Sequence, residues 1–311
     1  MRVLITGATG FVGACLTRKL LRMGHEIHIF ARPESSRWRI ADIDKDIFSH
    51  NVDLRAAQAV EQAVGSIKPE CIFHLATYGG FSFQKNTEAI FAANLLGTIN
   101  LVAACEKTGF SCFVNTGSSS EYGLKSQAMK ESDYLDPRGD YGVSKAAATL
   151  FCCSEAHQKN LPIISLRIFS PYGPWDDPKR LIPYVISTLL NGTVPALSTP
   201  ASVRDYVFID DVIEAFVAVS AATIVPGAIY NVGSGRQTSI GDMVATISAK
   251  IGSNLTPVWG SREMQRPEPA TWVADISALT SHCNWRPSIS LDAGLQITID
   301  WMNENLSSYV N

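Results

Sequence analysis

Short apolar runs alternate along this chain with longer stretches in which apolar residues return every third or fourth position. Val3-Leu-Ile-Thr6 is β-branched and apolar throughout, the pattern of a strand buried on both faces. Leu16, Leu20 and Leu21 then recur at helical spacing, and Gly24 ends that helix. Glu26-Ile-His-Ile-Phe30 predicts a second strand. Asp53 and Leu54 are expected to close a short third strand and to open a helix over 55–65. The same reading predicts strands over 70–75, 111–116 and 161–166, and helices over 86–107 and 141–159. Strand–helix alternation with right-handed crossovers gives a doubly wound, Rossmann-like α/β fold with a parallel sheet. Beyond about residue 175 the texture changes. Helical stretches over 180–191, 211–221, 240–251 and 291–302 are separated by short strands and loops rich in Pro and Gly. The expected division is a dinucleotide-binding domain over 1–174 and a smaller, mainly substrate-binding α/β region over 175–311. A segment near 203–231 is expected to return to the first domain.

Composition narrows the classes. The 311 residues are 46% hydrophobic and 18% charged, with a net charge of −3 at pH 7. That balance gives no reason to expect nucleic acid or an anionic membrane as partner. The apolar start of the chain breaks off into glycines, which reads as a strand and not as a signal peptide, and no apolar run approaches a membrane span. The seven cysteines, at 15, 71, 105, 112, 152, 153 and 283, form no Cys-x-x-Cys pair. Buried free thiols in a reducing, cytoplasmic setting are the expectation. The six histidines are dispersed, and no metal site is expected.

Two motifs bring chemistry. Gly7-Ala-Thr-Gly10-Phe-Val-Gly13 lies between the first strand and the first helix, the setting a dinucleotide fingerprint requires. Gly7 serves a tight turn, Gly10 lets backbone approach a pyrophosphate, and Gly13 lets helix pack on strand. The pyrophosphate would rest on the helix N-terminus, which carries about half a positive charge. The second motif is Tyr141-Gly-Val-Ser-Lys145, read with Ser118. A phenol and an ammonium four residues apart share one helix face. The cation favours the phenolate, so the tyrosine can exchange a proton with an alcohol while hydride moves on its carbon. The Ser118 hydroxyl can hold the same oxygen.

Taken in order, Gly7-x-x-Gly10-x-x-Gly13, Asp53, His74-Leu-Ala76, Asn94-x-x-Gly97-Thr98, Ser118, Tyr141-x-x-x-Lys145, Arg204-Asp-Tyr-Val-Phe-Ile-Asp-Asp-Val212 and Asn231-Val-Gly-Ser-Gly235 resemble the extended short-chain dehydrogenase/reductases that act on nucleotide sugars. The likeness covers essentially the whole chain. It implies a bound NAD(P), a nucleoside-diphosphate sugar and hydride transfer at a ring carbon, most often C4. It implies Tyr141 as general acid/base, Lys145 as its partner and Ser118 as the supporting hydroxyl. Gly7, Thr9, Gly10, Phe11, Val12, Gly13, Arg32, Asp53, Leu54, Leu75, Ala76, Thr116, Tyr141, Lys145 and Ile168 are its expected cofactor contacts. Tyr78, Ser118, Ser119, Ser120, Ser170, Arg180, Leu181, Arg204 and Arg266 are its expected substrate contacts. The likeness also implies a homodimer paired through the 86–107 and 141–159 helices, with Ala146, Ala147, Ala148 and Leu150 suited to the contact.

Departures from the family pattern sort the reactions. Dehydratases that resemble this chain carry an Asp-Glu pair where it has Ser119 and Ser120. Glu121 comes one residue too late and in an extended turn would point away. Dehydration therefore lacks its acid and base. The second strand ends in Phe30-Ala31-Arg32, with Arg37 and Arg39 beyond, where NAD-specific members place an acid for the ribose 2′-hydroxyl. Arginines without that acid suit a 2′-phosphate, hence NADPH, although NAD remains compatible. Ser170 replaces an Asn that many epimerases use. The favoured function is reduction of a 4-keto-(deoxy)sugar. The alternatives are a 4-epimerase with tightly bound NAD and a non-catalytic NAD(P)-binding sensor.

Overall fold

A computed structural model describes residues 1–261 and 270–309. Chain order begins β1 (Arg2–Thr6), α1 (Phe11–Arg22), β2 (Glu26–Ala31), β3 (Phe48–Asn51), α2 (Ala57–Ile67) and β4 (Cys71–His74). It continues with α3 (Thr87–Phe91), a π-helical turn (Ala92–Leu96), α4 (Gly97–Thr108), β5 (Cys112–Ser118), α5 (Gly139–Lys159) and β6 (Ile163–Ile168). Then come β7 (Ser170–Tyr172), α6 (Leu181–Leu190), β8 (Val203–Arg204), β9 (Tyr206–Phe208), α7 (Ile209–Ala221) and β10 (Ile229–Val232). The chain ends with β11 (Thr238–Ser239), α8 (Ile240–Ile251), α9 (Ser277–Cys283) and α10 (Leu291–Glu304).

Seven strands form one sheet in the order β10-β6-β5-β4-β1-β2-β3, and every pairing in it is parallel. The strand order reverses at β1, where β2 lies on one side and β4 on the other, and ligands of such sheets bind beyond the carboxyl ends there. The pleat explains the two apolar layers. Val3 and Ile5 pack with Leu16 and Leu20 of α1 and Phe216 and Val219 of α7. Leu4, between them, faces Val60 and Val64 of α2 and Leu101 and Val102 of α4. Phe73 and Ile72 divide between the layers in the same way, as do Val114 and Phe113. The return of the chain near residue 230 adds β10 beside β6, with Asn231 opposite Arg167.

Three expectations need correction. The third strand ends at Asn51, so Asp53 and Leu54 follow it, and α2 starts at Ala57. The helix expected over 86–107 is interrupted by the π turn, where one residue is inserted into the ladder. By length and composition alone Thr87–Thr108 could cross a membrane, against the earlier reading of the apolar runs. Leu101, Val102, Ala104 and Cys105 of α4 instead pack with α2 in the apolar layer on the sheet.

Candidate active site

The glycine turn is built by close approach of backbone. Gly7 has φ +73°, and a Cβ on it would lie 2.7 Å from Leu75 C and Ala76 N, so the turns after β1 and β4 touch. Gly10 is the N-cap of α1 and offers no side-chain cap, which leaves the first N–H groups of the helix free for a ligand. A Cβ on Gly13 would lie 2.2 Å from Gly7 O, so only glycine lets α1 start this close to β1. Above the turn opens a cleft of about 420 Å³. Gly7, Thr9 and Gly10 line one wall and Leu75, Ala76 and Tyr78 the other; Arg32, Asp53 and Leu54 border its outer end. An exposed backbone cradle with no room for side chains fits the pyrophosphate of a nicotinamide dinucleotide.

His74 ties the walls together. Its Nδ1 lies 2.7 Å from Thr6 Oγ1 and its Nε2 2.9 Å from Thr98 Oγ1. Ala76 N–H donates to Thr6 Oγ1 (3.2 Å), and Thr98 donates to Asn94 O (2.6 Å). The order that satisfies every donor has Thr6 donating to Nδ1 and Nε2–H donating to Thr98. Burial, with help from the Lys145 charge, pushes the His74 pKa down to about 3, so the ring is neutral and serves as a structural relay.

Ser118 closes β5, and the two residues read with it from sequence, Tyr141 and Lys145, stand on α5. Ser118 Oγ accepts from Ser120 N–H at 3.1 Å, which leaves its own proton free to donate. Tyr141 and Lys145 stand on one face of α5, and Lys145 is buried. Gly142 sits between them in sequence, and a Cβ there would lie 2.8 Å from Ser120 O. Glycine thus lets the first turn of α5 press against the Ser118–Ser120 turn. Asn94, in the π turn, pins this helix: its Nδ2 donates to Ser144 Oγ (2.9 Å) and to Tyr78 O (2.7 Å), and its Oδ1 accepts from Tyr78 N–H (2.8 Å). Across the opening, a Cβ on Gly80 would lie 3.9 Å from both the Tyr141 ring and Arg180 Nη2. The absence of a side chain at Gly80 leaves a space bordered by a phenol and a guanidinium.

The model of the NAD dependent epimerase/dehydratase family matches residues 3–233. The chain belongs to that family. A probable UDP-glucuronate 4-epimerase of Rhizobium meliloti is 25% identical, with 98% of each chain covered. Among solved structures, the UDP-glucuronic acid 4-epimerase of Bacillus cereus, in complex with UDP-glucuronic acid and NAD, has a TM-score of 0.89 at 25% identity, covering 98% of this chain and 100% of that one. The Thermus thermophilus UDP-glucose 4-epimerase in complex with NAD has a TM-score of 0.86 at 26% identity, covering 97% and 99%.

Membership in the epimerase/dehydratase family leaves the outer rim to be read from its own side chains. Arg32 lines the cleft and pairs with Glu34 at 3.3 Å; its N–H donates to Ser35 Oγ at 3.2 Å. Arg37 and Arg39, grouped with it from sequence, point elsewhere. Arg37 is held by Asp44 and by Ser49. Arg39 is buried and donates to Trp175 O at 2.7 Å, with Asp177 at 3.4 Å. Ser35 and Arg55 are among the cleft residues that went unread in the sequence. Arg55 hydrogen-bonds the Asp53 carboxylate and holds it below the usual carboxylate range.

The remaining predicted positions divide. Phe11 and Val12 open α1, and their half-buried side chains pack on the core. Ile168 is buried at the end of β6, opposite Ser118 in register. Thr116 Oγ1 has no hydrogen-bond partner among the described residues. Ser119 is buried, and Ser170 starts β7, opposite Tyr206. Leu181 begins α6 and packs on the core, so of the expected 180–181 pair Arg180 faces the opening. The Arg204 guanidinium stands 5.4 Å from the centre of the Trp272 ring. Its neighbour Asp205 turns away, to accept from Ser234, Gly235 and Ala274 N–H groups. Arg266 lies outside the described residues. Asn94 and Gly142 are the organising residues that sequence reasoning left without a role; the Asn94-x-x-Gly97-Thr98 spacing was the available signal.

Proposed function

We propose that the protein transfers hydride at C4 of the sugar of a nucleoside diphosphate sugar, with Tyr141 as proton donor and acceptor. The observation that supports this is the close packing of the first turn of α5, which carries Tyr141 and Lys145, against the Ser118–Ser120 turn, with the Lys145 charge felt at His74 and Glu121. A bound NAD(P) supplies the hydride or takes it up. Ser118 donates its free proton to the reacting oxygen and orients it. Tyr141 gives its proton as the alkoxide forms, and the buried Lys145 ammonium stabilises the phenolate left behind. Arg180, across the space opened by Gly80, and Arg204 offer guanidinium forks for the anionic part of the substrate.

Net reduction of a 4-keto-sugar by NADPH is the first reading. It is supported by the outer rim, where Arg32 and Ser35 follow β2, while Asp53, the acid that lines the cleft, follows β3 and is held by Arg55. The second reading, 4-epimerisation with retained NAD, is supported by the names of the relatives at 25–26% identity, two of them in complexes with NAD. Dehydration is not supported. Ser119 and Ser120 supply no carboxylate, and Glu121 is turned inward and bound to Arg167 at 2.7 Å. The test is product analysis on a panel of nucleoside-diphosphate sugars and their 4-keto-6-deoxy derivatives. Stoichiometric NADPH oxidation with a 4-hydroxy product supports reduction. Interconversion of C4 epimers without net cofactor change supports epimerisation. No product from any substrate, with cofactor binding intact, would sink both.

A further inference from the structure

Behind Ser118 lies a buried ion pair that the proton transfer does not use. The side chains of Glu121 and Arg167 are 0% and 1% exposed. Glu121 Oε1 accepts from two donors, the Ser118 N–H at 2.8 Å and the Thr149 hydroxyl at 3.0 Å. Its Oε2 accepts from Arg167 Nε at 2.7 Å. Thr149 follows Tyr141 and Lys145 at successive intervals of four residues on α5, so all three stand on one face of that helix. One carboxylate oxygen therefore joins the backbone of Ser118 to the helix face that presents the phenol and the ammonium.

The surroundings are shaped for this bridge. Gly117 leaves room for the carboxylate, since a Cβ there would lie 2.7 Å from Glu121 Oε1. Arg167 stands opposite Gly117 in the β5–β6 register. Its Nη1 donates to Tyr122 OH at 3.0 Å, and Tyr122 in turn donates to Asn231 Oδ1 at 2.7 Å on β10. A buried ion pair is a poor source of net stability compared with apolar packing. Charge-assisted hydrogen bonds are, however, short and directional, which suits a spacer between two elements whose separation matters.

We propose that Glu121 is a positioning residue: it fixes Ser118 against the Tyr141–Lys145 face of α5, with Thr149 as its contact on the helix and Arg167 as its counter-ion. The inference rests on the proposed function for the reaction read out, but the mechanical coupling can be measured without turnover. Two variants probe it. Thr149→Val removes the helix leg of the bridge, and Glu121→Asp keeps the charge but is one methylene too short to span Ser118 and Thr149 together. A misplacement of 1 Å can cost about 10²-fold in rate, so each variant should lose roughly tenfold in kcat with KM for sugar nucleotide and cofactor unchanged. Thr149→Ser, which keeps the hydroxyl, should restore kcat. The independent readout is amide exchange. The Ser118 N–H should be strongly protected in the wild type, faster in Thr149→Val and Glu121→Asp, and protected again in Thr149→Ser. Wild-type kcat together with wild-type Ser118 protection in both variants would overturn the proposal. So would equal losses in the Val and Ser variants. If the wild type turned over no sugar nucleotide, the functional reading would fall, while the exchange series would still decide the coupling.

Discussion

Arg167→Met tests how the interior beneath the active site is held. The substitution keeps most of the side-chain volume and removes the charge. Arg167 gives up bonds to Glu121 Oε2 (2.7 Å), Tyr122 OH (3.0 Å) and Glu131 O (3.3 Å). The dominant loss is electrostatic, because Glu121 is left fully buried without its cation. Breaking a buried pair from one side costs about 3–5 kcal/mol. With an unfolding entropy of about 2.1 cal/mol/K per residue over 311 residues, that corresponds to a fall in Tm of roughly 5–8 °C.

The penalty should also depend on pH, and its sign can be worked out. Burial raises the Glu121 pKa above 4.5, and the charge and hydrogen bond of Arg167 are the largest opposing influences. Without Arg167 the carboxyl rises further. Between 4.5 and the raised value the native state keeps a proton that the unfolded chain releases, so stability falls as pH rises through that window. The deficit of the variant should therefore be small near pH 4.5. It should grow by up to about 1.4 kcal/mol per pH unit only between the wild-type folded-state pKa and the higher one of the variant, because below the wild-type value both native states keep the proton. Thermal unfolding of both proteins followed by circular dichroism at pH 5, 6, 7 and 8 is the assay. Glu121→Gln/Arg167→Met, which removes both charges, should recover at least half the loss at pH 8 and show a flatter pH dependence. A deficit below 2 °C at pH 8, or one equal at pH 5 and pH 8, would refute the reasoning.

Three further outcomes are expected. Tyr141→Phe should lower kcat by about 10²–10⁴ with KM nearly unchanged; near-normal turnover in steady-state kinetics would mean that another acid acts. Arg32→Ala should weaken NADPH binding by roughly 1.5–3 kcal/mol in calorimetry and leave NADH nearly unaffected; equal losses would reject the 2′-phosphate reading. Leu96, Val143 and Leu150 are 53%, 40% and 56% exposed on the α3–α4 and α5 helices, whereas Ala146 and Ala148 face inward. A homodimer should bury the exposed set, so Leu150→Asp should shift it toward monomer in light scattering, and a wild-type monomer at micromolar concentration would reject the interface.

The sheet was legible because strands buried on both faces have only one strong signature. Val3-Leu-Ile and Cys71 to Phe73 are continuous apolar runs, Ile27 to Phe30 is interrupted only by His28, and runs of that kind between amphipathic helices leave little choice but a parallel sheet. The errors fall where a local pattern depends on distant partners. Phe48–Asn51 is an edge strand, largely exposed, so nothing apolar marks its end. The π turn in the helix after residue 86 has no glycine or proline to announce it. It coincides with Asn94, whose side chain is shared between Tyr78 and Ser144, residues far apart in sequence. Arg39 reads as one of three basic residues on a loop. Its partners, Trp175 and Asp177, lie more than 130 residues away, and charge patterning cannot see them.

Glu121 does not take the geometry that the sequence suggests. An extended turn after Ser118 would have thrown its side chain outward, one position too late to act on substrate. The structure has a 3₁₀ turn over Ser119–Glu121 instead, and Glu121 folds back to accept the Ser118 N–H while Ser118 Oγ accepts from Ser120 N–H. That is the reciprocal arrangement of a capping box, and its Ser-x-x-Glu spacing stands in the sequence. The spacing alone tells that the carboxylate is occupied by backbone and unavailable as an acid. It does not tell why a full charge is tolerated there. That answer needs Arg167 from β6 and Thr149 from α5, brought to the same carboxylate only by the parallel order of β5 and β6 and by the helix packed across them. A residue that local spacing removes from the chemistry is thus returned to the site by topology, as the link between its serine and its tyrosine.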